Sequence, residues 1–161
     1  MKHKMKETKR VNTSKKGDKS YYVICFCGQK GGGGKSLICV QIASLFSYNY
    51  KVLLIDADSK QRTATNNLSR YYNPNIETMA VEERDLPRLF SKEKEKLQKF
   101  DIVLIDGKAG MASTSFLMLD VSDYWVSPVQ PSQSDIDSFA LYVANVLEPS
   151  ICRNPGLQGA V

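Results

Sequence analysis

The sequence predicts an α/β domain in three layers, with a mostly parallel sheet flanked by helices. Three observations carry this expectation. Val52-Leu53-Leu54-Ile55 and Ile102-Val103-Leu104-Ile105 are short, continuously apolar runs, the pattern of strands covered on both faces. Segments of helical period separate the strand candidates, an alternation that builds parallel sheets through right-handed crossovers. A run of four glycines, Gly31 to Gly34, stands between the first strand candidate and the first helix.

Along the chain, Tyr21 to Cys27 is a β-rich apolar run closed by Gly28. A helix is expected from Lys35 to about Tyr48, where Leu37, Ile38, Ile42, Leu45 and Phe46 recur at helical spacing. The next apolar run ends on Asp56. Residues 62–71 read as a helix and residues 75–81 as a short strand. Asp85 to Gln98 places Leu86, Leu89, Phe90 and Leu97 on one helical face. Pro87 is tolerated there because it falls in the first turn, and Lys92 to Lys96 form a solvated face. The second apolar run ends on Asp106. Tyr124 to Ser127 is a further strand, bounded by Pro128. Asp135 to Leu147 repeats Ile136, Phe139, Ala140, Val143 and Leu147 at helical spacing, with Ser134 as N-cap. Residues 149–161 hold Pro149, Pro155, Gly156 and Gly159 without a period, so neither helix nor strand is expected.

At 161 residues the chain is one domain by length. It divides into a basic arm over 1–20, a folded domain over 21–148 and an irregular tail over 149–161. The net charge of +5 is a property of the arm, which alone carries +6 and leaves the remainder near −1. An arm so poor in apolar residues cannot offset its ordering entropy by burial and is expected to be disordered. Its lysines suit either contact with nucleic-acid phosphates or a solubilising leader. No apolar run is long enough to span a membrane, and the N-terminus lacks the apolar core of a secretory signal. A cytoplasmic protein is therefore expected. Cys25, Cys27, Cys39 and Cys152 form no C-x-x-C pair and the single histidine lies in the arm, so buried free thiols are expected rather than a metal or disulfide framework.

The chemistry concentrates in the glycine loop. Gly34-Lys35-Ser36 meets the end of the phosphate-loop pattern G-x-x-x-x-G-K-[ST], but Gln29 stands at the first glycine position. The loop's physics is nevertheless that of an anion cradle. Consecutive glycines let backbone N–H groups converge on a phosphate, and the helix N-terminus behind them carries partial positive charge. Lys35 is placed to reach the β- and γ-phosphates of a nucleotide and Ser36 to ligate Mg²⁺.

Lys30-Gly31-Gly32-Gly33-Gly34-Lys35-Ser36 resembles the deviant Walker A motif, K-G-G-x-G-K-[ST], of the ParA/MinD ATPases. Four further segments resemble that family in the same order. Ile55-Asp56-Ala57-Asp58 is similar to its D-x-D motif, and Gln61 to Asn66 to the segment that follows. Phe100 to Gly107 is similar to its Walker B strand, and Val121 through Ser132 to the next strand and loop of small partition proteins. The likeness runs from about Tyr21 to Leu147 and implies a three-layer P-loop NTPase fold.

The resemblance also implies roles. ATP and Mg²⁺ are the implied ligands, with the nucleotide on Gly31, Gly32, Gly33, Gly34, Lys35, Ser36 and Leu37. Lys30 would reach the partner's nucleotide across a homodimer, Lys35 would hold phosphates and Asp58 would orient the attacking water. Ser36, Asp56 and Asp106 would form the metal shell. The implied activity is ATP hydrolysis in plasmid or chromosome partitioning. Its implied partners are non-specific DNA, hence association with the nucleoid, and a centromere-binding partition protein. A membrane-positioning relative would call for a C-terminal amphipathic helix, and no such pattern is present. Two features depart from the family near the site: Ser59-Lys60 stand where proline usually follows D-x-D, and Lys108 follows Asp106-Gly107. The family also continues beyond residue 161, so a truncated gene product is expected, for which a catalytically weak or inactive nucleotide-binding or dimerisation module is the alternative.

Overall fold

A computed structural model describes residues 20–57, 64, 73–110 and 113–161. The expectations for the basic arm, for Asp58, for Ser59-Lys60 and for a helix over 62–71 lie outside these residues, apart from Ala64, which is buried.

Six parallel strands form one sheet in the order β3-β2-β4-β1-β5-β6. They are β1 (Tyr22–Phe26), β2 (Val52–Asp56), β3 (Ile76–Ala80), β4 (Ile102–Asp106), β5 (Tyr124–Val126) and β6 (Gln158–Ala160). The continuously apolar runs are the interior strands: every residue of β2 and β4 is buried. Side chains alternate between two cores. Leu53, Ile55, Val103 and Ile105 face one, while Val52, Leu54, Ile102 and Leu104 face the other. The second core is closed by α1 (Lys35–Phe46) through Cys39 and Ala43. The first is closed by α2 (Leu86–Lys92), α4 (Ser113–Asp120), α5 (Gln133–Tyr142) and the π-helical turn Val143–Leu147. The expected three layers result.

Several local expectations are corrected. In α1 the inward residues are Lys35, Cys39 and Ala43, while Leu37 and Leu45 stand outward at 58% and 64% exposure. Small residues let the helix lie close to the sheet, so its apolar periodicity overstated the buried face. The helix expected over Asp85–Gln98 is a 3-10 turn (Glu83–Asp85), α2 and a short α3 (Lys94–Leu97), interrupted at Glu93. All four residues of its expected face are nonetheless buried. The helix expected from Asp135 begins at Gln133 and is capped by Ser132, not Ser134: Asp135 N donates to Ser132 Oγ at 3.2 Å. Tyr142, Val146 and Leu147 form its buried side, and Ile136 is exposed because it lies off the face that Tyr142 presents within α5.

The segment 149–161, expected to be irregular, carries α6 (Glu148–Arg153) and β6. Pro149 sits in the first turn of α6, where a missing N–H is harmless. Arg153 fastens the helix, pairing with Asp120 at 3.1 Å and lying over the Phe116 ring. Three residues of strand have no side-chain period to read. β6 is held by its backbone, with Gln158 N donating to Asp123 O and Ser127 N to Ala160 O, both at 3.0 Å.

Candidate nucleotide site

The carboxyl ends of β1, β2 and β4 bring the predicted residues together. β1 leads into the glycine loop, and the loop opens directly onto α1. Gly32 and Gly34 hold φ of 78° and 84°, a left-handed conformation that glycine adopts without a Cβ penalty. Gly34 occupies the N-cap position and no side chain caps the helix, so the first-turn N–H groups remain available to an anion. The loop borders a cavity of about 350 Å³ lined by Gly31 to Leu37 on one side and by Asp106, Gly107, Lys108 and Ala109 on the other.

All seven residues predicted to bind nucleotide therefore share one cavity, and Asp106 lies across it. Lys35 is only 8% exposed. Its Nζ donates to the carbonyl oxygen of Lys30 at 2.7 Å, folding the side chain back over the loop. Burial lowers the Lys35 ammonium below its usual value, against the opposing attractions of Asp106 and Cys27. Asp56 and Asp106 end adjacent strands in matched register. Asp56 is wholly buried beside Asp106 and does not line the cavity.

Lys30 goes elsewhere. It lines a smaller neighbouring cavity with Pro128, Val129, Gln130 and Asp135, which shares Gly33 and Lys35 with the first. Its ammonium lies 2.7 Å from Asp135 Oδ1 and donates to Ser134 Oγ at 2.7 Å. That partnership is invisible in local sequence, although Ser132-x-x-Asp135 has the spacing of a capping box. The hydrogen bond from Lys30, reinforced by Ser132, holds the Asp135 carboxyl below the usual aspartate range. Sequence reasoning also missed Glu82 and Glu83. Glu83 is buried, and its Oε1 accepts from Lys108 N at 3.1 Å. Glu82 Oε2 lies 3.6 Å from Lys108 Nζ.

The cysteines bear out the thiol expectation in part. Cys25, Cys27 and Cys39 are buried and free, but Cys152 is exposed. Burial pushes the Cys25 and Cys39 thiols up. Among the described residues no cluster of three His, Cys, Asp or Glu could hold a metal ion. No described helix is long and apolar enough to cross a membrane.

A family model for the CobQ/CobB/MinD/ParA nucleotide binding domain matches residues 24–151. The chain belongs to this family.

No curated protein matches the sequence. Solved structures resemble the fold of this CobQ/CobB/MinD/ParA domain. A plasmid partition protein from Borrelia burgdorferi shares 21% identity at a TM-score of 0.64, covering 88% of this chain and 77% of its own. The ATP complex of a Cyanothece McdA variant has 17% identity and a TM-score of 0.68, covering 87% of this chain and 68% of its own. The septum site-determining protein MinD from Pyrococcus horikoshii OT3, complexed with Mg-ADP, has 18% identity and a TM-score of 0.62, with coverage of 86% and 68%. At these identities the likeness establishes the fold.

Proposed function

We propose that this chain binds ATP with Mg²⁺ and hydrolyses it in a partition-type cycle. The observation that carries the reading is the single cavity on which the glycine loop, Lys35, Ser36 and Asp106 converge. Loop and helix N–H groups would hold the phosphates, and Lys35 would exchange its Lys30 carbonyl for a phosphate oxygen. Mg²⁺ bound there would neutralise charge developing between the β- and γ-oxygens. With no ready-made cluster of three ligands among the described residues, such an ion would rely on Ser36, phosphate oxygens and water, a mode suited to Mg²⁺. Asp106 would orient that water shell and Asp56 would support it from the neighbouring strand. Asp58 would align the attacking water.

In an ATP-dependent homodimer Lys30 would exchange its pairing with Asp135 and Ser134 of its own chain for a second copy's nucleotide. The dimer would bind DNA without sequence preference on the nucleoid, aided by the basic arm, and a centromere-bound partner would stimulate hydrolysis. The test is Mg²⁺-dependent ATP turnover by the full chain, with and without duplex DNA, beside Lys35→Ala. Loss of turnover in the variant is expected, and turnover unchanged by it would overturn the assignment. Nucleotide binding without any turnover would favour an inactive dimerisation module. Removing residues 1–20 should weaken DNA binding and flatten its salt dependence.

A further inference from the structure

Lys108, the second lysine of the large cavity, has no part in that reading. We propose that Lys108 recognises the terminal phosphate of a nucleoside triphosphate and makes the site discriminate tri- from diphosphate, leaving Glu82 to do so. The inference rests on the assignment of the cavity to a nucleotide.

Lys108 lies two residues past Asp106 and lines the same cavity as the glycine loop. In phosphate-loop sites the metal held by the loop Ser and the strand-end Asp bridges the β- and γ-oxygens. A side chain beside that Asp therefore lies near the last phosphate, which Lys35 also reaches, while the loop N–H groups serve the preceding ones.

The root of Lys108 is fixed. Gly107 N donates to Phe26 O at 3.0 Å, and a Cβ at Gly107 would fall 2.9 Å from Phe26 O and 2.6 Å from Met118 Sδ. Lys108's own N–H is held by buried Glu83. The tip is held loosely. Its ammonium is 3.6 Å from Glu82, and the two side chains are 31% and 38% exposed. Partly exposed pairs of this kind contribute little. A terminal phosphate offers more charge and several acceptors at shorter range, so it outcompetes a single rim carboxylate. The chemistry favours an anion for another reason: among the described residues the cavity lining holds two lysines and one carboxylate. A diphosphate leaves the position next to Lys108 unfilled, which is the basis of discrimination.

Calorimetric titration of the full chain in Mg²⁺ with AMPPNP and, separately, with ADP tests the inference. Lys108→Ala should weaken AMPPNP binding by about tenfold or more while ADP changes by less than about twofold. Lys108→Arg should retain most of the preference, and Glu82→Gln should tighten AMPPNP binding. If Lys108→Ala weakens both nucleotides equally or neither, Lys108 has no role in discrimination. A native chain that binds neither nucleotide would sink the site assignment as well. Lys108→Met, compared by thermal melting, separates a loss of binding from a loss of fold.

Discussion

Lys30 Nζ and Asp135 Oδ1 stand 2.7 Å apart, tying the head of the glycine loop to the first turn of α5. Ser134 accepts from the same ammonium, and Ser132 donates to the other Asp135 oxygen at 2.7 Å. The loop and the helix start are thus one polar unit, although 105 positions separate the two charges in sequence.

The depressed Asp135 carboxyl makes stability depend on pH. Lys30, then Ser132, favours the ionised form in the folded chain. The unfolded chain consequently binds a proton more readily, so this contribution is present above the ordinary aspartate range and is lost as pH falls through the lower folded value. Melting temperatures measured from about pH 5 to pH 2 should show a steeper acid decline in the native chain than in Asp135→Asn. Parallel curves would remove the Lys30–Asp135 pair from the stability of the fold.

Ser132 Oγ shares the Asp135 N–H with the Ser132 carbonyl at the start of α5 and orients the Asp135 carboxylate as well. Ser132→Ala should cost about 1 kcal/mol in denaturant unfolding, the usual cost of a lost N-cap. Ser134→Ala leaves the cap intact and should cost less.

Gly159 lies against the face of Trp125, so that an added Cβ would overlap the indole ring. Gly159→Val should therefore displace β6 from β5 and destabilise the chain by about 1–3 kcal/mol. Trp125 is the single tryptophan, so the change is readable as a red shift in its emission. An unshifted spectrum would mean that β6 does not pack on Trp125.

Ser36 and Asp106 should carry the metal dependence of nucleotide binding. In the native chain Mg²⁺ should strengthen AMPPNP binding relative to EDTA. Ser36→Ala and Asp106→Asn should each shrink that gain by roughly tenfold, with the metal-free affinity less affected. A gain that survives both substitutions would place the ion elsewhere.

The sequence by itself determined the layered fold and the glycine loop that opens onto α1. Two short apolar runs with no polar alternation suit strands covered on both faces, and β2 and β4 are buried throughout in the sheet interior. The glycine loop is equally local, because loop, lysine, hydroxyl and helix N-terminus are contiguous. Tertiary structure decided what local pattern cannot encode. It set which residues of α1 face the sheet, since close approach favours Cys39 and Ala43 over the larger Leu37 and Leu45. It turned residues 149–161 into a helix and an edge strand, since backbone pairing with β5 needs no side-chain period. It also assigned Lys30 to Asp135 and Lys108 to Glu82 and Glu83. These partners come from separate segments, and only the crossing of those segments over the sheet brings their charges within reach.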